Sequence, residues 1–121
     1  MQAFVFDTYA ILEVIAGSPT YQKYLNSEII INDFIFAELC YKLIRESGYD
    51  KAIFYLDKYS PFRKELDAVT IKEAMLFRVN HIKKNLSATD CISYLMALNL
   101  SVKFLTGDKQ FKDLKEVEFV K

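Results

Sequence analysis

Apolar residues along the chain fall into short continuous runs, separated by longer stretches with helical spacing. Each run is bounded by polar or turn-forming residues, which is typical of strands buried on both faces of a sheet. Because such strands need covered faces, the intervening stretches should pack against them. We predict strands at residues 2–6, 28–31, 66–69, 102–105 and 117–120.

Between the runs, apolar residues recur every three or four positions, as on one face of a helix. The clearest stripe is Ile35, Phe36, Leu39, Cys40, Leu43 and Ile44. Asn32-Asp33 precedes it as a cap and Gly48 follows it as a stop. Thr70 and Ser87 are predicted caps of later helices. We predict helices at residues 8–16, 18–25, 33–46, 49–59, 70–84 and 88–99, and a helical turn after Asp108.

Strands that alternate with helices predict an α/β fold with a parallel sheet, because right-handed helical crossovers connect parallel neighbours. The chain has 121 residues and no repeat, linker or low-complexity stretch, so we expect a single domain over 1–121. Glycine (3) and proline (2) are scarce, which indicates long regular elements and short connections.

The 16 basic and 16 acidic residues cancel, so bulk positive charge does not hold this protein on nucleic acid. Any attraction to RNA must be local. Cys40 and Cys91 match no metal-binding spacing and are expected to be reduced thiols. The chain opens without a basic leader, and no apolar run approaches the roughly 20 residues that cross a bilayer. We therefore expect a soluble cytoplasmic protein without membrane contact.

The common catalytic motifs are absent: there is no Gly-rich phosphate loop and no GxSxG, and His81 is the only histidine. A zinc site or a catalytic triad would be hard to build without a second histidine. Carboxylates remain, and sites in open parallel sheets lie beyond the carboxyl ends of strands. Asp7 follows the first strand and Asp108 follows the fourth, and these ends are neighbours if the two strands pair. Either residue could instead cap a helix.

Two further acids also have alternative interpretations. Asp90 lies in the first turn of the helix capped by Ser87, where an acid is favoured by the helix dipole, yet this end of the helix can also face a site. Glu38 falls off the apolar stripe, on a face with Phe34 and Tyr41, and periodicity alone favours an exposed side chain.

Four stretches taken together resemble one family. They are the first strand ending in Asp7-Thr8, Ala37-Glu38-Leu39, Ser87-Ala88-Thr89-Asp90 with Ile92 and Ala97, and Thr106-Gly107-Asp108-Lys109-Gln110-Phe111. The last contains a Thr-x-Asp-x-x-Phe pattern and is the most specific. The chain resembles PIN domains, and among them the VapC-type toxins of prokaryotic toxin–antitoxin pairs. Tyr9 stands where the family often has a small residue.

The resemblance implies a five-stranded parallel sheet in the order 3-2-1-4-5 with helices on both faces. It also implies that Asp7, Glu38, Asp90 and Asp108 surround a pocket and bind one or two magnesium or manganese ions. Thr8 and Thr106 would hydrogen-bond to these acids. Such a site hydrolyses RNA phosphodiester bonds without a histidine.

Basic residues near the acids are candidates for RNA binding, or else are solvated surface. They are Lys103, Lys109 and Lys112, with a second cluster at Arg78, Lys83 and Lys84.

The toxin analogy implies an antitoxin that blocks the pocket, and a homodimer. Candidate interface residues are Tyr9, Ile11, Leu12, Tyr21, Tyr24, Phe54 and Tyr55. Two alternatives remain open: a non-catalytic binding module, and a metal-dependent nuclease or phosphoesterase acting on DNA or other phosphates.

Overall fold

The computed structural model describes residues 1–121 and confirms the predicted alternation of strands and helices. The strands are β1 (Ala3–Phe6), β2 (Glu28–Ile30), β3 (Lys103–Thr106) and β4 (Val117–Phe119). The α-helices are α1 (Thr8–Ile15), α2 (Asp33–Ser47), α3 (Tyr49–Tyr59), α4 (Ala68–Asn80) and α5 (Ala88–Asn99). Short 3₁₀ turns cover Pro19–Tyr24, Ser60–Phe62, Ile82–Lys84 and Lys109–Phe111. None of the helices combines the length and the apolar character that crossing a membrane requires.

The strands form one parallel sheet in the order β2-β1-β3-β4, which confirms the α/β class. β1 is central, and Phe4, Val5 and Phe6 are all buried. A strand covered on both faces has no solvent side, so its sequence is a continuous apolar run rather than an alternation. In the pairing of β1 with β3, Phe6 lies opposite Leu105. The two strands therefore end at nearly the same level.

The predicted strand at residues 66–69 is wrong. Asp67 instead caps α4: its Oδ1 accepts a hydrogen bond of 2.8 Å from the backbone N–H of Thr70. Residues 68 and 69 are the first of that helix, so Thr70 lies inside the helix and is not its cap. α4 also ends earlier than predicted, at Asn80, and a separate 3₁₀ turn continues the chain.

A remnant of the fifth strand exists at the edge beside β2. There Ile31 and Arg63 form a single parallel bridge, with the Lys64 N–H donating to the Ile31 carbonyl at 2.8 Å. The 3₁₀ turn before Arg63 and the cap at Asp67 leave too few residues for a longer strand. Counted with this bridge, the strand order agrees with the expected 3-2-1-4-5, but the sheet has four strands and not five.

The crossovers place helices on both faces of the sheet. The chain steps outward from β1 to β2 and to the bridge at Arg63, then returns across the sheet to β3. Because such crossovers are right-handed, α1, α2 and α3 lie on one face and α4 and α5 on the other. The packing agrees, since α2 contacts both α1 and α3 while α4 packs along α5. A core of 24 buried hydrophobic residues fills the space between the layers.

A buried amide ties α2 to α5. Asn32 is fully buried and caps α2, its Oδ1 accepting a 2.9 Å hydrogen bond from the Ile35 N–H. Its Nδ2 donates to the Ser93 hydroxyl at 3.1 Å. The buried polar atoms of Asn32 and Ser93 therefore all have hydrogen-bond partners.

Replacing Asn32 by alanine removes the cap and leaves the buried Ser93 hydroxyl without this donor. We expect Asn32→Ala to lower the free energy of unfolding by about 2–3 kcal/mol, as the loss of a cap and of a buried hydrogen bond together. Urea unfolding followed by circular dichroism measures this change. The exposed Asn26 offers the control, and Asn26→Ala should stay within about 0.5 kcal/mol of the parent. Equal urea midpoints for Asn32→Ala and Asn26→Ala would refute the stabilising role of the Asn32 hydrogen bonds.

Candidate functional site

The structure brings all four predicted acids to one cleft at the carboxyl edge of the sheet. Asp7 follows β1 directly, Asp108 lies two residues beyond β3, Asp90 is in the first turn of α5, and Glu38 projects from α2. The cleft has a volume of about 640 Å³. It is lined by Asp7, Thr8, Tyr9, Glu38, Lys42, Ser87, Asp90, Gly107, Asp108, Lys109 and Lys121.

Asp7 is the deepest of the acids, with 7% of its surface exposed. Although it precedes α1, its side chain makes no capping hydrogen bond, so the capping alternative fails for this residue. Its Oδ2 instead accepts a 2.7 Å hydrogen bond from the Thr106 hydroxyl. Burial raises the pKa of Asp7 to about 7, and the charges of Asp90 and Glu38 add to this, while the Thr106 hydrogen bond acts in the opposite direction.

Glu38 faces the cleft and not open solvent. The Thr8 hydroxyl, which is almost completely buried, donates a 2.7 Å hydrogen bond to its Oε1. Periodicity identified most of the apolar stripe of α2, since Ile35, Leu39 and Leu43 are buried, but the predicted Ile44 is exposed. It could not show that α1 contacts α2 beside this stripe, where the hydrogen bond from Thr8 holds Glu38 among the acids.

Asp90 and Asp108 each lie at the start of a helix and also belong to the site, so both predicted interpretations hold for them. The backbone N–H of Asp90 donates to the Ser87 hydroxyl at 3.0 Å, which confirms Ser87 as the helix cap. Asp108 caps the following 3₁₀ turn, its Oδ1 accepting from the Gln110 N–H at 2.9 Å. Both carboxyl groups nevertheless line the cleft. Burial raises the pKa of Asp90, and the charges of Asp108 and Glu38 raise it further.

One threonine links two of the acids. The Thr106 hydroxyl donates to Asp7 and accepts a 3.0 Å hydrogen bond from the backbone N–H of Asp108. Thr106 is fully buried, so this geometry is fixed by packing. The backbone turn after β3 and the carboxyl group after β1 are thereby held in one arrangement.

No basic side chain neutralises the four acids. The ion pairs of the structure are Arg63 with Asp33 and Lys103 with Glu118, both outside the cleft. Lys42, Lys109 and Lys121 line the cleft without approaching a carboxylate within ion-pair distance. The charges of neighbouring acids contribute to the raised pKa values of Asp7 and Asp90, and such crowding favours the binding of a cation.

The donor set fits a hard divalent cation. The cleft offers carboxylate and hydroxyl oxygens and no histidine or cysteine, which excludes the usual zinc ligands. In the arrangement described, no three of these side chains converge closely enough to ligate one ion directly. Magnesium keeps several of its waters and takes few protein ligands, so this spacing fits an ion that is held partly through water.

The predicted basic residues are distributed differently from expectation. Lys109 lines the cleft, but Lys103 turns to Glu118, at 3.8 Å, and Lys112 lies over the Phe119 ring at 5.7 Å. The structure therefore does not bring Lys103 and Lys112 to the acids. Sequence reasoning missed Lys42, which lies one helical turn after Glu38, a spacing that places both on one face.

The second basic cluster does not line the cleft either. Arg78 and Lys84 donate to backbone carbonyl groups, and the His81 ring stacks on Phe77 with centroids 4.0 Å apart. A smaller hollow of about 280 Å³ lies here, lined by Arg78, Val79, His81, Ile82, Asn85 and Leu86. It contains no carboxylate, and His81 packs there against Phe77.

The raised pKa of Asp7 predicts how the stability of the metal-free protein depends on pH. In the folded state this carboxyl titrates at about 7, against 3.8 for an unperturbed aspartate. Folding therefore favours the protonated form, and the contribution is full below pH 4 and lost as the pH rises to about 7. We expect Asp7→Asn to be more stable than the parent by roughly 2–4 kcal/mol at pH 8 but not at pH 4.

Thermal unfolding in EDTA between pH 4 and pH 8 measures this difference. The exposed Asp57 on α3 supplies the matched control, because Asp57→Asn removes the same charge outside the cleft. A stability difference between Asp7→Asn and the parent that is constant across the pH range would contradict the assignment.

Comparison with known proteins agrees with this geometry. A family model described as PIN domain matches residues 4–117, which include all four cleft acids. No curated protein matches the chain significantly. PIN domains are typically nucleases that hydrolyse phosphodiester bonds with divalent metal ions. The match covers nearly the whole chain, and the protein therefore belongs to the PIN-domain family.

Proposed function

We propose that this PIN domain is a magnesium- or manganese-dependent endoribonuclease, and that it is the toxin of a toxin–antitoxin pair. The observation that carries the proposal is the set of four carboxylates around one open cleft, none of which has a basic partner. Such a site repels a phosphodiester unless cations lie between the acids and the phosphate. The family membership supports the same chemistry.

Asp7, Asp90 and Asp108 would hold one or two ions, directly or through water, and Glu38 would complete the set or orient the attacking water. A bound divalent ion lowers the pKa of a water molecule and neutralises charge on the phosphate. The threonines keep the acids in place: Thr106 holds Asp7 and the turn at Asp108, while Thr8 holds Glu38. Because these hydroxyls are buried, little reorganisation is needed when a substrate arrives.

Three lysines at the cleft supply the local positive charge that an RNA substrate requires. Lys42, Lys109 and Lys121 surround the acids, and none forms an ion pair. Their ammonium groups are therefore available to the phosphates on either side of the scissile bond. The resemblance to VapC-type toxins, carried by the stretches at Asp7-Thr8 and at Thr106 to Phe111, supports RNA as the substrate in place of DNA.

Cleavage of end-labelled single-stranded RNA in magnesium or manganese tests the activity. We expect the parent to cut RNA and EDTA to abolish cutting. Asp7→Asn should lower the rate by at least about 100-fold, because stabilisation by a metal is worth several kcal/mol and each 1.4 kcal/mol is tenfold in rate. Asp57→Asn should cut like the parent.

The other outcomes identify the alternatives. Equal cutting by Asp7→Asn and the parent would remove Asp7 from the site. Cutting of a DNA strand of the same sequence, with RNA left intact, would indicate a deoxyribonuclease. Magnesium binding measured by calorimetry, without cutting of either strand, would contradict the nuclease and favour a binding module.

The toxin role implies two protein partners. An antitoxin would block the cleft, and a basic side chain inserted among the acids would take the place of the metal ions.

A homodimer would need exposed apolar surface. Ile11, Tyr21 and Tyr24, which sequence reasoning included as interface candidates, are buried in the core. Phe54 is 72% exposed and packs on Tyr55, so α3 is the better candidate for a dimer interface.

Expression in a bacterial host tests the toxin role. We expect induction of the parent chain to arrest growth, since cleavage of cellular RNA stops protein synthesis, and Asp7→Asn to permit growth. Culture density and colony counts after induction measure this, at protein levels matched by immunoblot. Asp57→Asn should arrest growth like the parent. Unimpaired growth with a chain that cuts RNA in vitro would refute the toxin role and leave the nuclease standing.

A further inference from the structure

The cleft contains one aromatic side chain, and the metal chemistry does not use it. Tyr9 is the only hydrophobic residue among the eleven that line the cleft. It lies in the first turn of α1, two residues after Asp7, and is neither fully buried nor fully exposed. An aromatic face beside a phosphodiester site is a surface on which a nucleobase can stack.

A glycine makes room for the Tyr9 ring. The ring lies directly against Gly107, the residue before Asp108, and a Cβ atom at that position would overlap three ring carbons. Gly107 does not have a positive φ, so its backbone conformation does not require glycine. What requires glycine is the close approach of the ring. The Tyr21 ring, with its centroid 6.2 Å away, supports Tyr9 further.

We propose that Tyr9 stacks on an unpaired base of the substrate next to the scissile phosphate, and so selects single-stranded RNA. This inference rests on the proposed ribonuclease function. Bases within a duplex are covered on both faces by their neighbours, so only an unpaired base can lie on a protein side chain. The Lys121 ammonium lies over the Tyr9 ring, 5.9 Å from its centre. A stacking base would displace it from the ring face and leave it beside the phosphate of the same nucleotide.

The simpler interpretation is that Tyr9 only packs against the core, since it also contacts buried residues. The two roles differ in what they predict for RNA. A packing residue affects stability and leaves RNA binding unchanged in a folded variant. A stacking residue affects binding, and any aromatic ring at the position preserves the effect.

The absence of tryptophan from the chain permits a direct test. Tyr9→Trp in the Asp7→Asn chain carries a single tryptophan at the cleft and is expected not to cut RNA. A base stacked on the indole quenches its fluorescence, so titration with single-stranded RNA should quench it and a blunt duplex should not. Tyr49→Trp in the same chain is the control, because Tyr49 is 62% exposed and outside the cleft. Equal responses of the two tryptophans, or no quenching at Tyr9→Trp, would overturn the proposal.

Cleavage kinetics give an independent measurement. Loss of one stacking contact weakens single-stranded binding by roughly tenfold. We expect Tyr9→Ala to raise KM for RNA by about that factor with a smaller change in kcat, and Tyr9→Phe to behave like the parent. Gly107→Ala keeps the tyrosine but displaces its ring, so it should resemble Tyr9→Ala. Tyr49→Ala should leave KM unchanged.

The outcomes separate this inference from the proposed function. Cutting of RNA by the parent, with an unchanged KM for Tyr9→Ala, would refute stacking and leave the ribonuclease intact. Quenching by single-stranded DNA as strong as by RNA, from a parent that cuts only DNA, would support stacking and refute the choice of RNA. A KM change for Tyr9→Phe equal to that for Tyr9→Ala would assign the effect to the hydroxyl, against stacking.

Discussion

The parallel pairing of β1 with β3 is the constraint from which the site follows. Phe6 lies opposite Leu105, and the Asp7 N–H donates to the Leu105 carbonyl at 2.9 Å. Asp7 and Thr106 therefore emerge side by side from the carboxyl edge of the sheet, where their 2.7 Å hydrogen bond joins them. Both strands are buried in the centre of the fold, so the core that stabilises the protein also fixes the position of the deepest acid.

The fold holds four acids together, and their mutual repulsion and partial burial oppose folding. Four acids face one cleft without a basic partner, and burial holds the pKa of Asp7 at about 7. Without a metal, burial therefore favours the protonated form of this residue. Sites built for function commonly retain such local conflict, which the rest of the fold offsets. The fully buried capping network of Asn32 and the large aromatic core provide that compensation here.

The pattern of apolar residues predicted all four strands of the sheet and all five α-helices. It could do so because a continuous apolar run indicates a strand covered on both faces, and a helical stripe indicates the covered face of a helix. The prediction at residues 66–69 failed because its three apolar residues surround an aspartate. Asp67 caps a helix, whereas in a buried strand its charge would be unfavourable. Periodicity also could not place Glu38, because the stripe on α2 identifies the core face and not the neighbour on its other side. Only the resemblance of the whole pattern had grouped that residue with the other acids.

Lysines illustrate the limit of proximity along the chain. Lys103 is close to Asp108 in sequence, but it lies on β3 and pairs with Glu118 across the sheet, whereas Lys42 is far from Asp108 in sequence and lines the same cleft. The net charge of zero likewise does not show where the charges lie in the fold. A chain without bulk positive charge gains little from the release of counterions, so the RNA binding proposed above would depend on short-range contacts. Four acids around one cleft and an aromatic ring against Gly107 are features that could supply such contacts, and neither is visible in the composition.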